Sequence, residues 1–266
     1  MRASPTTPAV ARTLGKNLLD ARIEEAALNA TVVREQMIYD GWLVRWAPSK
    51  ARRARSVNVL AASQRSLDEK LAHCAAVYAR ARQPFIFRIT SICPDTALDG
   101  QLDRKGFAAI DDTCVMAMPL AGDESATPQA TLRYEQADPG LFARVAGQLR
   151  DDTPDQVAEH TQRLTSIAVP CTRWLARDEQ GRHVAAGMTV LDGDLAGVFD
   201  VVVDPQVRGR GYARQLMHRL LSTGREAGAR TAYLQVERGN TPARRLYASL
   251  GFADRYTYWY RTQQQD

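Results

Sequence analysis

Two short amphipathic segments end in the same Gly-Phe pair: "DTALDGQLDRKGF", closing at Phe107, and "TPARRLYASLGF", closing at Phe252. Each follows a strand-like run, "PFIFRIT" or "TAYLQVE", and each leads into another, "DTCVMAMPL" or "DRYTYWYR". A helix-spaced stretch precedes each set: "SLDEKLAHCAAVYARAR" in the first and about Ala213 to Ala227 in the second. The same order of elements recurs at a displacement of roughly 145 residues, which points to two copies of one unit. A chain built this way belongs to the α/β (α+β) class, with tandem domains that each flank a mixed central β-sheet with helices. At 266 residues and 45% hydrophobic composition, two such cores can be filled.

The break between the copies is compositional. "PLAGDESATPQAT", from Pro119 to Thr131, is small and polar with a proline near each end, and reads as a linker. The expected organisation is a flexible N-terminus over 1–19, a first domain over 20–120, a linker over 121–130 and a second domain over 131–266. In the second domain, helical spacing covers Gly140 to Arg150 and Pro154 to Ile167. A meander of three strands follows, with turns at Gln180-Gly181 and Asp192-Gly193. The next helix places Leu216, Leu220 and Ala227 on one stripe with Met217 and Leu221 beside it. In the last helix, Thr241 is expected as N-cap, with Pro242 at the first helical position.

The net charge of +5 comes from 31 arginines and four lysines against 30 acidic residues, and the arginines are spread through the whole chain. Such scatter argues for compositional bias over a nucleic-acid face. Cys74, Cys93, Cys114 and Cys171 match no metal-ligand spacing, so neither a disulfide nor a metal site is expected. No apolar run is long enough to cross a bilayer and the start lacks a signal-like core, so no membrane contact and a cytoplasmic location are expected.

"VVVDPQVRGRGYARQ", beginning at Val201, carries the chemistry. Pro205 ends a buried-looking strand, Gly209 and Gly211 permit main-chain conformations closed to other residues, and a helix opens at about Tyr212. Unpaired N–H groups and the positive end of a helix dipole then converge on one point, a nest for an anion, with Arg208 and Arg210 at its rim. The dinucleotide fingerprint fails because Arg214 stands where its third glycine would be, and the Gly-Lys-Ser/Thr of a Walker loop is absent.

"QVRGRGYA", Gln206 to Ala213, resembles the Gln/Arg-x-x-Gly-x-Gly/Ala loop of the GCN5-related N-acetyltransferases. About thirty residues later, "NTPARRLYASLGF" resembles their Asn-x-x-Ala-x-x-Leu-Tyr-x-x-Leu-Gly-Phe segment. The resemblance covers Thr131 to Arg261; the first copy looks like the degenerate half of tandem members and has no Gly-x-Gly loop. It implies acetyl-CoA as acyl donor, with pantetheine between two splayed strands against the main chain of Val201, Val202 and Val203. The pyrophosphate would be held by Arg208, Gly209, Arg210, Gly211, Tyr212 and Ala213. Asn240 would orient either the pantetheine or the helix that follows it.

The implied reaction is direct attack of an amine on the thioester in a ternary complex, which needs a proton acceptor for the amine and a donor for the departing thiolate. Tyr247 matches the family's tyrosine acid. The family's base position holds Gln235, an amide, so Glu237, Asp200 or a water chain are the candidates. Leu102 stands in the first copy where Tyr247 stands in the second. His73, His160, His183 and His218 are isolated in sequence, "SKARRAR" from Ser49 reads as a solvated edge strand, and Tyr256, Tyr258 and Tyr260 share one strand face. The expected protein is an N-acetyltransferase with catalysis in its second half, as a monomer with pseudo-twofold halves or a homodimer; the alternative is a non-catalytic acyl-CoA sensor or interaction module.

Overall fold

The computed structural model describes residues 8–120 and 131–263; the linker expected at 121–130 lies outside them. An eleven-stranded sheet runs through both copies. Its strands are β1 (Gln36–Tyr39), β2 (Trp42–Arg45), β3 (Val57–Val59), β4 (Ile86–Thr90), β5 (Ala108–Pro119), β6 (Arg133–Gln136), β7 (Cys171–Arg177), β8 (His183–Asp192), β9 (Leu195–Val203), β10 (Thr231–Glu237) and β11 (Ala253–Thr262). Their spatial order is β1-β2-β3-β4-β11-β5-β10-β9-β8-β7-β6. The last strand of each copy has therefore changed places with its counterpart. β5 pairs with β10 of the second copy, β11 pairs with β4 of the first, and the two exchanged strands pair with each other.

The duplication is visible in the backbone. The helices α3 (Leu98–Arg104) and α7 (Thr241–Ser249) both stop at a left-handed glycine, Gly106 at φ +81° and Gly251 at φ +100°. Past each stop, the N–H of Phe107 donates to the Leu102 carbonyl and that of Phe252 to the Tyr247 carbonyl, both at 3.1 Å. Glycine tolerates this conformation because it has no Cβ, and the turn delivers each phenylalanine into its core.

Four more helices flank the sheet as the spacing predicts: α2 (Leu67–Ala81), α4 (Pro139–Arg150), α5 (Pro154–Thr165) and α6 (Tyr212–Glu226). Leu216, Leu220, Met217 and Leu221 of α6 are buried, but Ala227 lies past the helix end and is exposed. Gly224 holds the next place on that stripe; a Cβ there would sit 2.7 Å from the Ala196 Cβ, so this glycine permits close packing of α6 on β9. The N-cap of α7 is Asn240, whose side chain accepts from the Ala243 N–H, and Thr241 is the first helical residue.

A helix, α1 (Pro8–Asn29), leads into the first copy, and its Ile23, Ala26 and Ala27 pack on Tyr233, Tyr256, Tyr258 and Tyr260. One expectation fails. The "RRAR" expected in an edge strand is a 3-10 turn, Arg52–Arg55, between β2 and β3. Period-two spacing of charges does not separate a strand from a tight turn when the apolar residues are alanines. Among the described residues no helix is long and apolar enough to cross a membrane, and no cluster of three or more potential ligands could hold a metal ion.

α1 is fastened by an ion pair. Arg88 of β4, 1% exposed, reaches Glu24 with both terminal nitrogens, and the Tyr256 hydroxyl donates to the same carboxylate at 2.7 Å. Burial alone would raise the Glu24 carboxyl, yet Arg88 and Tyr256 hold it below the ordinary glutamate value. Glu24→Ala would strand a buried guanidinium. Its expected cost in urea unfolding is about 3–5 kcal/mol, and the Glu24→Leu/Arg88→Met double variant should recover most of it. A loss under about 1 kcal/mol for the single variant would contradict this view of the pair.

Candidate active site

The site begins with one surplus residue in β9. Ala186 faces Val202 and Met188 faces Phe199, so Asp200 and Val201 together oppose Gly187 alone. Asp200 takes up the surplus at φ +54°, a left-handed conformation rare for a residue with a side chain. The bulge turns β9 away from β10: their parallel pairing runs from Leu195↔Thr231 to Val198↔Leu234 and stops. Beyond it, Phe199 to Val203 remain paired to β8 only, and main-chain groups on the other edge face the gap.

A cavity of about 470 Å³ opens at the fork. Asp200, Val201, Glu237, Asn240 and Tyr247 all line it, joined from the first copy by Arg53 and Thr113 and from β11 by Tyr258 and Tyr260. Val202 and Val203 continue along the freed edge, and the chain then enters the Gly-x-Gly loop. Gly209 at φ +81° and Gly211 at φ +76° are both left-handed, and a Cβ on either would meet no atom within 4 Å. Backbone conformation, not crowding, thus demands glycine there, and both glycines are exposed. Gly211 is the N-cap of α6 and no side chain caps the helix, so the N–H groups of its first turn, from Tyr212 and Ala213 on, point outward beside exposed Arg208 and Arg210.

The equivalent place in the first copy is closed from within. Ser66 and Glu69 form a capping box at the start of α2, and the Asp40 carboxylate accepts from the N–H groups of Gln64 and Arg65 at 3.0–3.1 Å. Lys70, fully buried, pairs with the same aspartate. An internal anion already satisfies donors that in the second copy are left facing outward.

Tyr247 lies half-buried on α7 with its ring 6.1 Å from that of Phe252, and burial raises its phenol above the ordinary value. It is a protonated donor at neutral pH. Glu237 is exposed at the end of β10, at the cavity mouth. Asp200 is engaged otherwise: its carboxylate receives Nε2 of His160 at 2.9 Å and Nη2 of Arg150 at 3.2 Å. Burial works to raise its pKa, but the His160 hydrogen bond and the charges of Arg150 and Arg163 take it far below the ordinary aspartate value. So held, Asp200 is a poor acceptor of a proton and a good anchor for the bulge.

Sequence reasoning missed His160, which looked isolated but is 3% exposed and bound to Asp200 from forty residues away. It also missed Arg53, whose turn is carried into the cavity by the exchanged sheet. Tyr258 was noted as a strand-face residue of interest because the last strands of the resembling family lie near the acceptor site. Its hydroxyl donates to Gln235 Oε1 at 3.0 Å and lies 3.4 Å from Arg53 Nη2. No spacing rule joins these positions; a buried polar residue on an otherwise apolar face of α5 was the one usable sign of His160.

Comparison with known proteins supplies the context for this geometry. Residues 142–252 match the model of the acetyltransferase (GNAT) family. A [ribosomal protein bS18]-alanine N-acetyltransferase of Haemophilus ducreyi is 39% identical over 74 residues, 28% of this chain and 51% of that protein, so the match spans about half of that relative's length. A mycothiol acetyltransferase of Thermomonospora curvata is 30% identical over 192 residues, covering 66% of this chain and 63% of its own. A GCN5-related N-acetyltransferase structure from Kribbella flavida shares the fold over 92% of this chain and 96% of its own, with a TM-score of 0.71 at 15% identity. The splayed strands, the two left-handed glycines and the Asn-to-Gly-Phe segment from Asn240 all lie inside the segment, 142–252, that matches the acetyltransferase (GNAT) family model.

Proposed function

We propose that the protein is an acetyl-CoA-dependent N-acetyltransferase whose second copy, 131–266, carries the reaction, while the first, 20–120, walls the acceptor side. The observation that carries this reading is the bulge at Asp200: it frees a strand edge directly beside an uncapped helix start and a protonated tyrosine. The main chain of Val201, Val202 and Val203 supplies hydrogen-bonding groups for a pantetheine arm. The first-turn N–H groups of α6, with Arg208 to Ala213, suit a pyrophosphate. Asn240 both lines the cavity and caps α7, so it sets the position of Tyr247.

The thioester supplies an acyl carbon open to attack by a neutral amine. As the C–N bond forms and the C–S bond breaks, Glu237, directly or through water, accepts the proton the amine gives up. Tyr247 donates its phenolic proton to the leaving sulfur. Asp200 holds the bulge and takes no proton. A non-catalytic acyl-CoA sensor would need the nest but not the tyrosine; Gln235 at the family's base position favours that second reading, and turnover decides between the two.

Tyr247→Phe should lower kcat about 10²-fold or more in a thiol-release assay with acetyl-CoA while leaving coenzyme A affinity unchanged; unaltered kcat would remove the tyrosine from the proton path. Gly211→Val meets no neighbour but forces a β-branched residue into a left-handed conformation, at about 1–2 kcal/mol of backbone strain. Coenzyme A binding by calorimetry should weaken at least tenfold, and an unchanged affinity would argue against the nest. Asp200 has a folded pKa below its unfolded one, so its contribution to stability is present above about pH 4 and lost as pH falls through the folded value. The stability gap between wild type and Asp200→Asn should therefore be widest near pH 7 and close in acid; a gap that widens in acid would contradict the pairing.

A further inference from the structure

Three guanidinium groups, buried Arg45 and Arg88 and half-buried Arg53, stand where α1, the 3-10 turn and β11 meet, and Glu24 is the carboxylate among them. Arg88 takes Glu24. Arg45, 4% exposed, donates from Nε to the Gln36 side chain and from Nη2 to the Leu28 carbonyl, and its Nη1 is buried without a partner. Burial, and then the charges of Arg53 and Arg88, bring Arg45 down to about 10, as expected where positive charge is in excess. Arg53 faces the cavity. It rests 5.8 Å from the Phe199 ring, touches the Tyr258 hydroxyl and pairs with no carboxylate among the described residues.

A second unmet donor sits across the same hydroxyl. Gln235 accepts from Tyr258 through Oε1, but its Nε2 is buried without a partner, as is Nε of Arg53. Buried donors without acceptors are costly, and such a charge is normally neutralised. The cavity's other charges do not serve: Asp111 pairs with Arg52, Asp200 with His160 and Arg150, and Glu237 is exposed at the mouth. The Arg53 guanidinium thus lines the cavity as a positive charge that a carboxylate would neutralise.

Building on the proposed acetyltransferase reading, we infer that the acceptor is an amine that also carries a carboxylate, held by Arg53 of the first copy beside the Tyr258–Gln235 pair of the second. This would give the first copy a share in specificity. Arg53 lies in a turn of the first copy, beside Tyr258 of β11, and reaches the Phe199 ring where the freed stretch of β9 begins.

The test uses the full-length protein, acetyl-CoA and matched pairs: L-leucine with isopentylamine, L-tyrosine with tyramine, and alanyl-alanine with its C-terminal amide. The carboxylate member of each reacting pair should have the higher kcat/KM, by tenfold or more. Arg53→Gln should bring that ratio toward one, chiefly through KM, with Arg53→Lys between the two. Equal rates within pairs, or an unchanged ratio in the variant, would overturn the inference. So would an Arg53-dependent preference for succinyl-CoA over acetyl-CoA with the neutral amines, which would place the carboxylate on the acyl chain. If no amine is acetylated, the enzymatic reading itself fails. Calorimetry with N-acetyl-L-leucine and its amide then decides separately: binding of the acid alone, lost in Arg53→Gln, keeps the carboxylate site, and equal or no binding removes it.

Discussion

One extra residue in a strand organises the second copy of this molecule. Asp200 and Val201 crowd opposite Gly187, and β9 accommodates them by a left-handed kink and a change of direction. Such a kink at a residue with a side chain costs on the order of 1–3 kcal/mol and persists only where its surroundings hold it. Here His160 and Arg150 bind the kinked residue's own carboxylate, so the groups that stabilise the bulge are fixed by α4 and α5. The fork that results is at once an opening in the sheet and a stretch of backbone whose donors and acceptors need partners.

The strand exchange gives the fork its second wall. Had each copy kept its own last strand, β11 would lie beside β10 and would not pair with β4. With β5 and β11 interchanged, Tyr258 stands next to Arg88 and Arg53, and residues from both copies enclose one cavity. The two copies have also diverged at the helix start that faces outward in the second: Asp40 lies in the first where an incoming anion would lie in the second.

Local features were legible in the sequence because their causes are local. Gly209, Gly211 and Gly251 announce left-handed backbone, Pro205 announces a strand end, and the Gly-Phe turns reveal the duplication without any knowledge of contacts. Val201, Glu237, Asn240 and Tyr247 do line one cavity with Asp200. What escaped was set by partners distant along the chain: the exchange of strands, the His160–Asp200 pair, and Arg53, whose environment comes from a strand more than two hundred residues on. The turn at Arg52–Arg55 was unreadable for another reason, since two alanines among arginines carry almost no periodic signal. The N-cap at Asn240 was displaced by one residue because Asn and Thr stand side by side and both can cap.

The account predicts that a donor thioester finds main-chain partners on one copy only. Amide hydrogen exchange, followed by mass spectrometry with and without acetyl-CoA, tests this directly. Protection should rise over 199–203 and 208–213 and stay unchanged over 57–66, the corresponding stretch of the first copy. Equal protection of both stretches, or none at 199–213, would contradict it.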